Sequence, residues 1–292
     1  MPLLRINAGV QGLRLHGSDR QPLTAARRLR GPVVVMIHGN KYSPRVAGHC
    51  PHARLFHAGG WPQALGLEAQ GTNTIAFGWE ARGGLRHAHA QALSDAAQLA
   101  QLIAALRGRR HGGPVHIIAH SLGATLALAA LPYLRHGDVG RIVLLSGAAH
   151  LGLARHALAS PAGLGTQLFH VTSRANALFD LGFEQVIAGT GAIGRGIDRA
   201  QAVRLHIDCA RTRGRLGTLG YPLGPPRRRV CHWSSYTCAG VMALNAALLD
   251  GSLPMTVLRH ILPPPPERRT ALAILNKTSI MAAVSHWHRA RT

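Results

Sequence analysis

Lysine is nearly missing from this chain: of 33 lysines and arginines, only Lys41 and Lys277 are lysine. Acidic residues are scarce as well, 11 against those 33, leaving a formal net charge of +22. A surplus of that size could attract nucleic acid, anionic lipid or an acidic substrate. The pattern argues against nucleic acid. The arginines are scattered, with short clusters only at Arg27–Arg28–Arg30 and Arg227–Arg228–Arg229. Aromatic residues are only 4% of the chain, and none interleave with the arginines as base-stacking platforms would. Compositional bias toward arginine and alanine is the simpler cause. Cysteine is sparse too. Cys50, Cys209, Cys231 and Cys238 form no CxxC pair, so neither a disulfide framework nor a zinc site is expected. Long apolar runs are lacking. Residues 122–134 are too short and interrupted to span a bilayer, and residues 1–16 have no continuous apolar stretch of the kind a secretory leader carries. Stable membrane insertion is not expected, and a soluble cytoplasmic protein is.

What is present is a chain that can fold around a large core. It has 292 residues, 47% of them hydrophobic, enough for one sizeable α/β domain. Residues 3–7 and 13–16 read as a hairpin. The β-branched run 33–37 reads as a strand buried on both faces, as parallel strands are. Further strands are expected at 74–77, 115–119, 142–145, 168–172 and 203–207. Helices are expected at 61–67, 92–106, 122–131, 151–158 and 238–249, the second from its amphipathic spacing. Strands alternating with helices predict a three-layer α/β fold around a mostly parallel sheet. The expected organisation is an N-terminal hairpin over 1–30, a main domain over 31–250 and a C-terminal segment over 251–292. That segment opens with the stiff spacer Pro263–Pro264–Pro265–Pro266, and an amphipathic helix over 268–289 is read as a packing appendage.

The sharpest motif is Ala119–His120–Ser121–Leu122–Gly123, between a predicted strand and a predicted helix. In G-x-S-x-G the serine sits on a tight strand-to-helix turn with its hydroxyl exposed, and small flanking residues let strand and helix approach. Alanine at 119 keeps that smallness. An isolated serine there would be an ordinary helix cap. His38–Gly39–Asn40 ends the strand 33–37. In a parallel sheet both strand ends open on the carboxyl edge, where such folds place their sites. The amides of Asn40 and Leu122 could then converge on a developing oxyanion.

These motifs, with a late Cys231–His232–Trp233–Ser234, make residues 33–249 resemble the α/β-hydrolase superfamily, in particular bacterial serine hydrolases of the esterase kind. The resemblance implies Ser121 as nucleophile and the Asn40 and Leu122 amides as oxyanion donors. It makes His38, Gly39 and His120 candidates for substrate contact. The superfamily order Ser, acid, His points to His232 as base, with His206 as the fallback. Here the chain departs from the pattern. The acid is expected three to five residues past strand 168–172, yet Arg174, Ala175, Asn176 and Ala177 hold no carboxylate. Asp180 is the nearest candidate, Asp208 the alternative, and an asparagine orienter at Asn176 stays open.

Two decoys need weighing. Gly189–Thr190–Gly191–Ala192–Ile193–Gly194 matches a dinucleotide fingerprint, but the stretch before it reads as helix and the one after is too short for a crossover helix. It is read as a glycine-rich loop that could belong to a lid. The group His49, Cys50, His52 and His57 lacks a further ligand at useful spacing and is read as a histidine-rich loop near substrate. The resulting expectation is a serine hydrolase acting on a small-molecule carboxylic ester through an acyl-enzyme, with no metal or organic cofactor. The alternatives are a non-catalytic binding protein on the same scaffold and, behind it, a basic binder of anionic lipid or nucleic acid.

Overall fold

The first strand after the N-terminal hairpin, β3 (Val33–Ile37), lies at the centre of the molecule, all five of its residues buried. The protein is described by a computed structural model covering residues 3–109, 112–225 and 228–262. Arg227, the tetraproline spacer and the expected helix over 268–289 lie outside the described residues. The other strands are β1 (Leu4–Asn7), β2 (Arg14–Leu15), β4 (Asn73–Gly78), β5 (Val115–His120), β6 (Val139–Leu145), β7 (Gln167–Thr172) and β8 (Ala202–His206). They form one eight-stranded sheet in the order β2-β1-β4-β3-β5-β6-β7-β8. Only β2 runs antiparallel. β1 pairs in parallel with β4, so the hairpin extends the central sheet. The expected three-layer α/β fold is the observed one.

Period-2 alternation divides the core. Val33, Val35 and Ile37 of β3 and Ile117 and Ala119 of β5 face one layer of helices. That layer includes Pro22–Arg27, Leu85–Ser94, Ala96–Arg107, Gly123–Ala130 and Leu151–Ala159. Val34, Met36 and Ile118 face the other, formed by Trp61–Leu65, Ala210–Thr218, Val241–Asp250 and Met255–Ile261. A strand buried on both sides cannot alternate polar and apolar, which is why the sequence shows continuous Val/Ile runs. The expected helix over 92–106 is in fact two helices that meet at Asp95. Asp95 is buried and takes hydrogen bonds from the Gln91 (2.9 Å) and Gln98 (3.3 Å) side chains.

After β3 the chain goes outward to β4, then returns to place β5 on β3's other side. That reversal makes the carboxyl ends of β3 and β5 the topological switch point, where loops diverge and leave a crevice. His38 and Ser121 follow these two strand ends.

Candidate functional site

Ser121 stands at the β5-to-helix turn with φ +53°, in the left-handed region that costs a non-glycine residue about 1–2 kcal/mol. The neighbourhood holds it there. The Ser121 amide donates to Leu145 O (3.1 Å), and its carbonyl accepts from the Ala124 and Ala148 amides (2.9 Å each). Gly123 allows the turn to close: a Cβ there would fall 2.6 Å from His38 O. Gly39 does the same from the opposite side, since its Cβ would lie 2.6 Å from Ser121 Cβ. Gly39 therefore packs beneath the serine. The two motifs of the sequence are thus one contact, the β3 turn pressed against the β5 turn.

His38 was expected near substrate, and the structure corrects this. Its ring is fully buried and stacks on Trp79, with centroids 5.5 Å apart. Nδ1–H donates to Gly39 O (2.8 Å), while Nε2 accepts from the Trp79 backbone amide (3.1 Å). The Trp79 indole N–H donates to His38 O (3.0 Å). Burial pushes the His38 pKa down to about 3, so the ring is a neutral pillar under the turn. Asn40 and Leu122 follow Gly39 and Ser121, and among the described residues neither of their amides donates to a protein acceptor. The Asn40 side chain accepts from the Lys41 amide (2.9 Å), which fixes this turn.

His232 precedes the short helix Ser234–Thr237. Its loop is tied down twice. The Cys231 amide donates to Ala175 O (3.0 Å), and His120 Nε2–H donates to His232 O (3.2 Å). His120 is buried, its ring centroid 4.7 Å from that of His232. It therefore latches the histidine loop to the residue next to Ser121 and has little surface left for a ligand. Phe179 also stacks on the imidazole, with centroids 4.6 Å apart. Burial, aided by the nearby His120 and Lys41, holds the His232 pKa well below the usual histidine range. The ring is neutral at pH 7. Among the described residues no hydrogen bond joins Ser121 Oγ to His232; in unliganded sites such contacts are often long.

The partner of His232 Nδ1 is Asn176 Oδ1, at 2.6 Å. Because Nδ1–H must donate to that carbonyl oxygen, Nε2 keeps its lone pair. Asn176 is fully buried at the mouth of helix Ala177–Val186. It stands at the position where the sequence pattern demanded an acid. Asp180, expected to orient His232, lies one step behind: its Oδ1 accepts from Asn176 Nδ2 (3.0 Å). One helical turn separates 176 from 180, so the carboxylate meets the amide and the amide meets the imidazole. Asp208 takes the Arg174 amide (2.7 Å) and caps that turn instead. His206 ends β8, three strand spacings or about 14 Å from β5, which leaves it out of reach of Ser121.

The glycine-rich segment has a structural explanation. A Cβ at Gly194 would strike the Asp180 carboxylate, and one at Gly189 would lie 2.5 Å from the His150 ring. The glycines let the loop close over these two side chains. His52 is buried and Nε2 pairs with Asn7 Oδ1 (2.6 Å). Among the described residues no His/Cys/Asp/Glu group has the arrangement of a metal site. A cavity of about 340 Å³ opens beside the histidine loop, lined by Ser173, Ala175, Asp208, Cys231 and Trp233 among others. No described helix is long and apolar enough to cross a membrane. The sequence reading had not foreseen Phe179 and the latching role of His120. The helical spacing from Asn176 could have suggested the first.

The model of the alpha/beta hydrolase family matches residues 34–290. No curated protein matches. Among solved structures, the mature form of the Bacillus licheniformis lipase BlEst2 aligns at 16% identity and TM-score 0.38, covering 60% of this chain and 82% of its own. A lipase-esterase related protein from Clostridium acetobutylicum ATCC 824 aligns at 9% identity and TM-score 0.39, over 79% of this chain and 94% of its own. Likenesses this distant add nothing to the family match.

Proposed function

The chain belongs to the alpha/beta hydrolase family, and from that premise we propose that it is a serine hydrolase cleaving a carboxylic ester of a small molecule through an acyl-enzyme. The observation that carries the reading is Ser121, held in a left-handed turn at the switch point, with a neutral imidazole, oriented by Asn176, on a loop that the adjacent His120 ties down.

In this reading His232 Nε2 takes the proton of Ser121 Oγ as the oxygen attacks the acyl carbon. The oxyanion of the tetrahedral intermediate meets the Asn40 and Leu122 amides, each such donor worth about 2.7–4 kcal/mol of transition-state stabilisation. Collapse breaks the ester C–O bond, and His232 passes its proton to the departing alkoxide. Water, deprotonated by His232, then attacks the acyl-enzyme and releases the acid, regenerating Ser121. Every proton is carried by His232, so the scheme needs neither metal nor organic cofactor. Asn176 orients the imidazole but lacks the charge that stabilises an imidazolium. Without that charge the imidazolium is less stabilised in the transition state, so turnover should be slow.

That same asparagine favours the second reading, a binding protein on a hydrolase scaffold. A fluorophosphonate reagent separates the two, because it reacts only with an activated serine. Labelling of the wild type that vanishes in Ser121→Ala supports the hydrolase. A folded wild type that takes no label overturns it in favour of binding.

A further inference from the structure

We propose that Asp180 is a positioning residue that acts through the Asn176 amide to choose the tautomer of His232, and so switches the base on and off. The inference rests on the hydrolase reading only for its kinetic consequence; the tautomer itself is a property of the folded chain.

The chain of contacts is His232 Nδ1 to Asn176 Oδ1 at 2.6 Å, then Asn176 Nδ2 to Asp180 Oδ1 at 3.0 Å. A primary amide has two faces, one that accepts and one that donates, and rotation by half a turn exchanges them. Nothing in His232 alone decides which face it meets, since a neutral imidazole can donate or accept at Nδ1. Asp180 decides. An ionised carboxylate only accepts, so it demands the Nδ2–H of Asn176 and turns Oδ1 toward His232. The imidazole then carries its proton on Nδ1 and offers Nε2 as the base. A protonated Asp180 can donate to Asn176 Oδ1 instead. The amide turns, Nδ2–H donates to His232 Nδ1, and the single imidazole proton sits on Nε2, where it blocks proton abstraction.

Asp180 is built to sit near this balance. Burial pushes its pKa up to about 7, and Glu184 on its own helix pushes in the same direction. The Asn176 hydrogen bond, Arg204 from β8 and Arg195 from the Ile193–Arg195 turn oppose that rise. Arg195 is itself engaged by Glu184, Nε to Oε1 at 2.7 Å. His89 and His150 meet the same helix further on, at Phe183. Gly194 lets the backbone close directly over the carboxylate. Above pH 7 the ionised form prevails and the productive tautomer is favoured. Below it the neutral form prevails while His232, with its depressed pKa, is still uncharged. The acid limb of activity is therefore set by Asp180.

The ionised carboxylate, two hydrogen bonds away from the ring, also stabilises the imidazolium; for an assumed separation of about 7 Å and an effective dielectric of about 20–40 this is worth roughly tenfold to fiftyfold in rate. The test uses the full chain with ¹⁵N-labelled histidine, His232 being assigned by difference against His232→Gln. Tautomers are read from long-range ¹H–¹⁵N spectra at pH 6 and pH 8.5. The wild type should hold Nδ1–H at pH 8.5 and shift to a mixture of the two tautomers at pH 6, where a neutral carboxyl can pair with either face of the amide. Asp180→Asn, which satisfies either amide orientation, should show the same mixture at both pH values and label tenfold to fiftyfold more slowly at pH 8.5. Asn176→Asp combined with Asp180→Asn puts a carboxylate directly on Nδ1 and should restore the Nδ1–H tautomer and the rate. An Asp180→Asn protein that keeps the wild-type tautomer and pH response overturns the relay. Absent labelling with the expected spectra would sink the hydrolase reading and leave the relay standing.

Discussion

Gly123→Ala tests the contact between the two turns most directly. A Cβ at 123 would sit 2.6 Å from His38 O, and 3.1 Å from both Ile37 O and Ile37 Cγ2. Ordinary contact needs about 3.4 Å or more, so the β5 turn must move away from the β3 turn by roughly 0.8 Å. Two of the three obstacles are backbone carbonyl oxygens, which cannot rotate aside. Overpacking of this kind typically costs about 1–3 kcal/mol. A shift near 1 Å at a reacting group costs on the order of 10²-fold in rate. Gly214 is the control: it lies in helix Ala210–Thr218 with open space around its Cβ position. Gly214→Ala should stabilise by about 0.5–1 kcal/mol through helix propensity alone. Urea unfolding gives the stabilities, and fluorophosphonate labelling gives the rate. Should Gly123→Ala match the wild type in both, the small residue at 123 is not what seats Ser121 against His38.

Two further outcomes follow from the same geometry. Ser121→Gly should be more stable than Ser121→Ala by about 1 kcal/mol, because only glycine occupies φ +53° without strain; equal unfolding midpoints would count against stored strain at the turn. His38, His52, His120 and His170 are all buried, with pKa values pushed down to about 3, 3, 4 and 3. Between those values and 6.5 the unfolded chain binds more protons, so stability must fall as pH falls, each group adding up to about 1.4 kcal/mol per pH unit. Thermal melts should be flat above pH 7 and drop steeply below pH 6; a melting temperature unchanged from pH 7 to pH 5 would refute the neutral burial of these rings.

The strands were legible because a doubly covered sheet leaves a plain mark: Val33 to Ile37 is apolar at every position, and the structure buries every one. The serine turn was legible for a different reason, since Gly123 must be small for a local steric cause. What the sequence hid was side-chain direction over distance. Asn176 and Asp180 were both in view, but their order of contact depends on where helix Ala177–Val186 begins, and no spacing rule fixes a helix start to one residue. His38 misled in the same way. A histidine beside a site glycine reads as a ligand, and only Trp79, 41 positions later, reveals it as core.

The position of β3 between β4 and β5 also bears on how the protein comes to be folded. β3 must wait for a strand that begins at Val115 before its second edge is paired, and closing loops of that length before any contact rewards them makes folding slow. The turn bearing Ser121 can press on Gly39 only after that pairing. During synthesis the chain therefore holds half a switch point, with an apolar strand edge exposed, until β5 has emerged. The seating of Ser121 against Gly39 is therefore a late event in the life of the chain, one that marks the closing of β5 on β3.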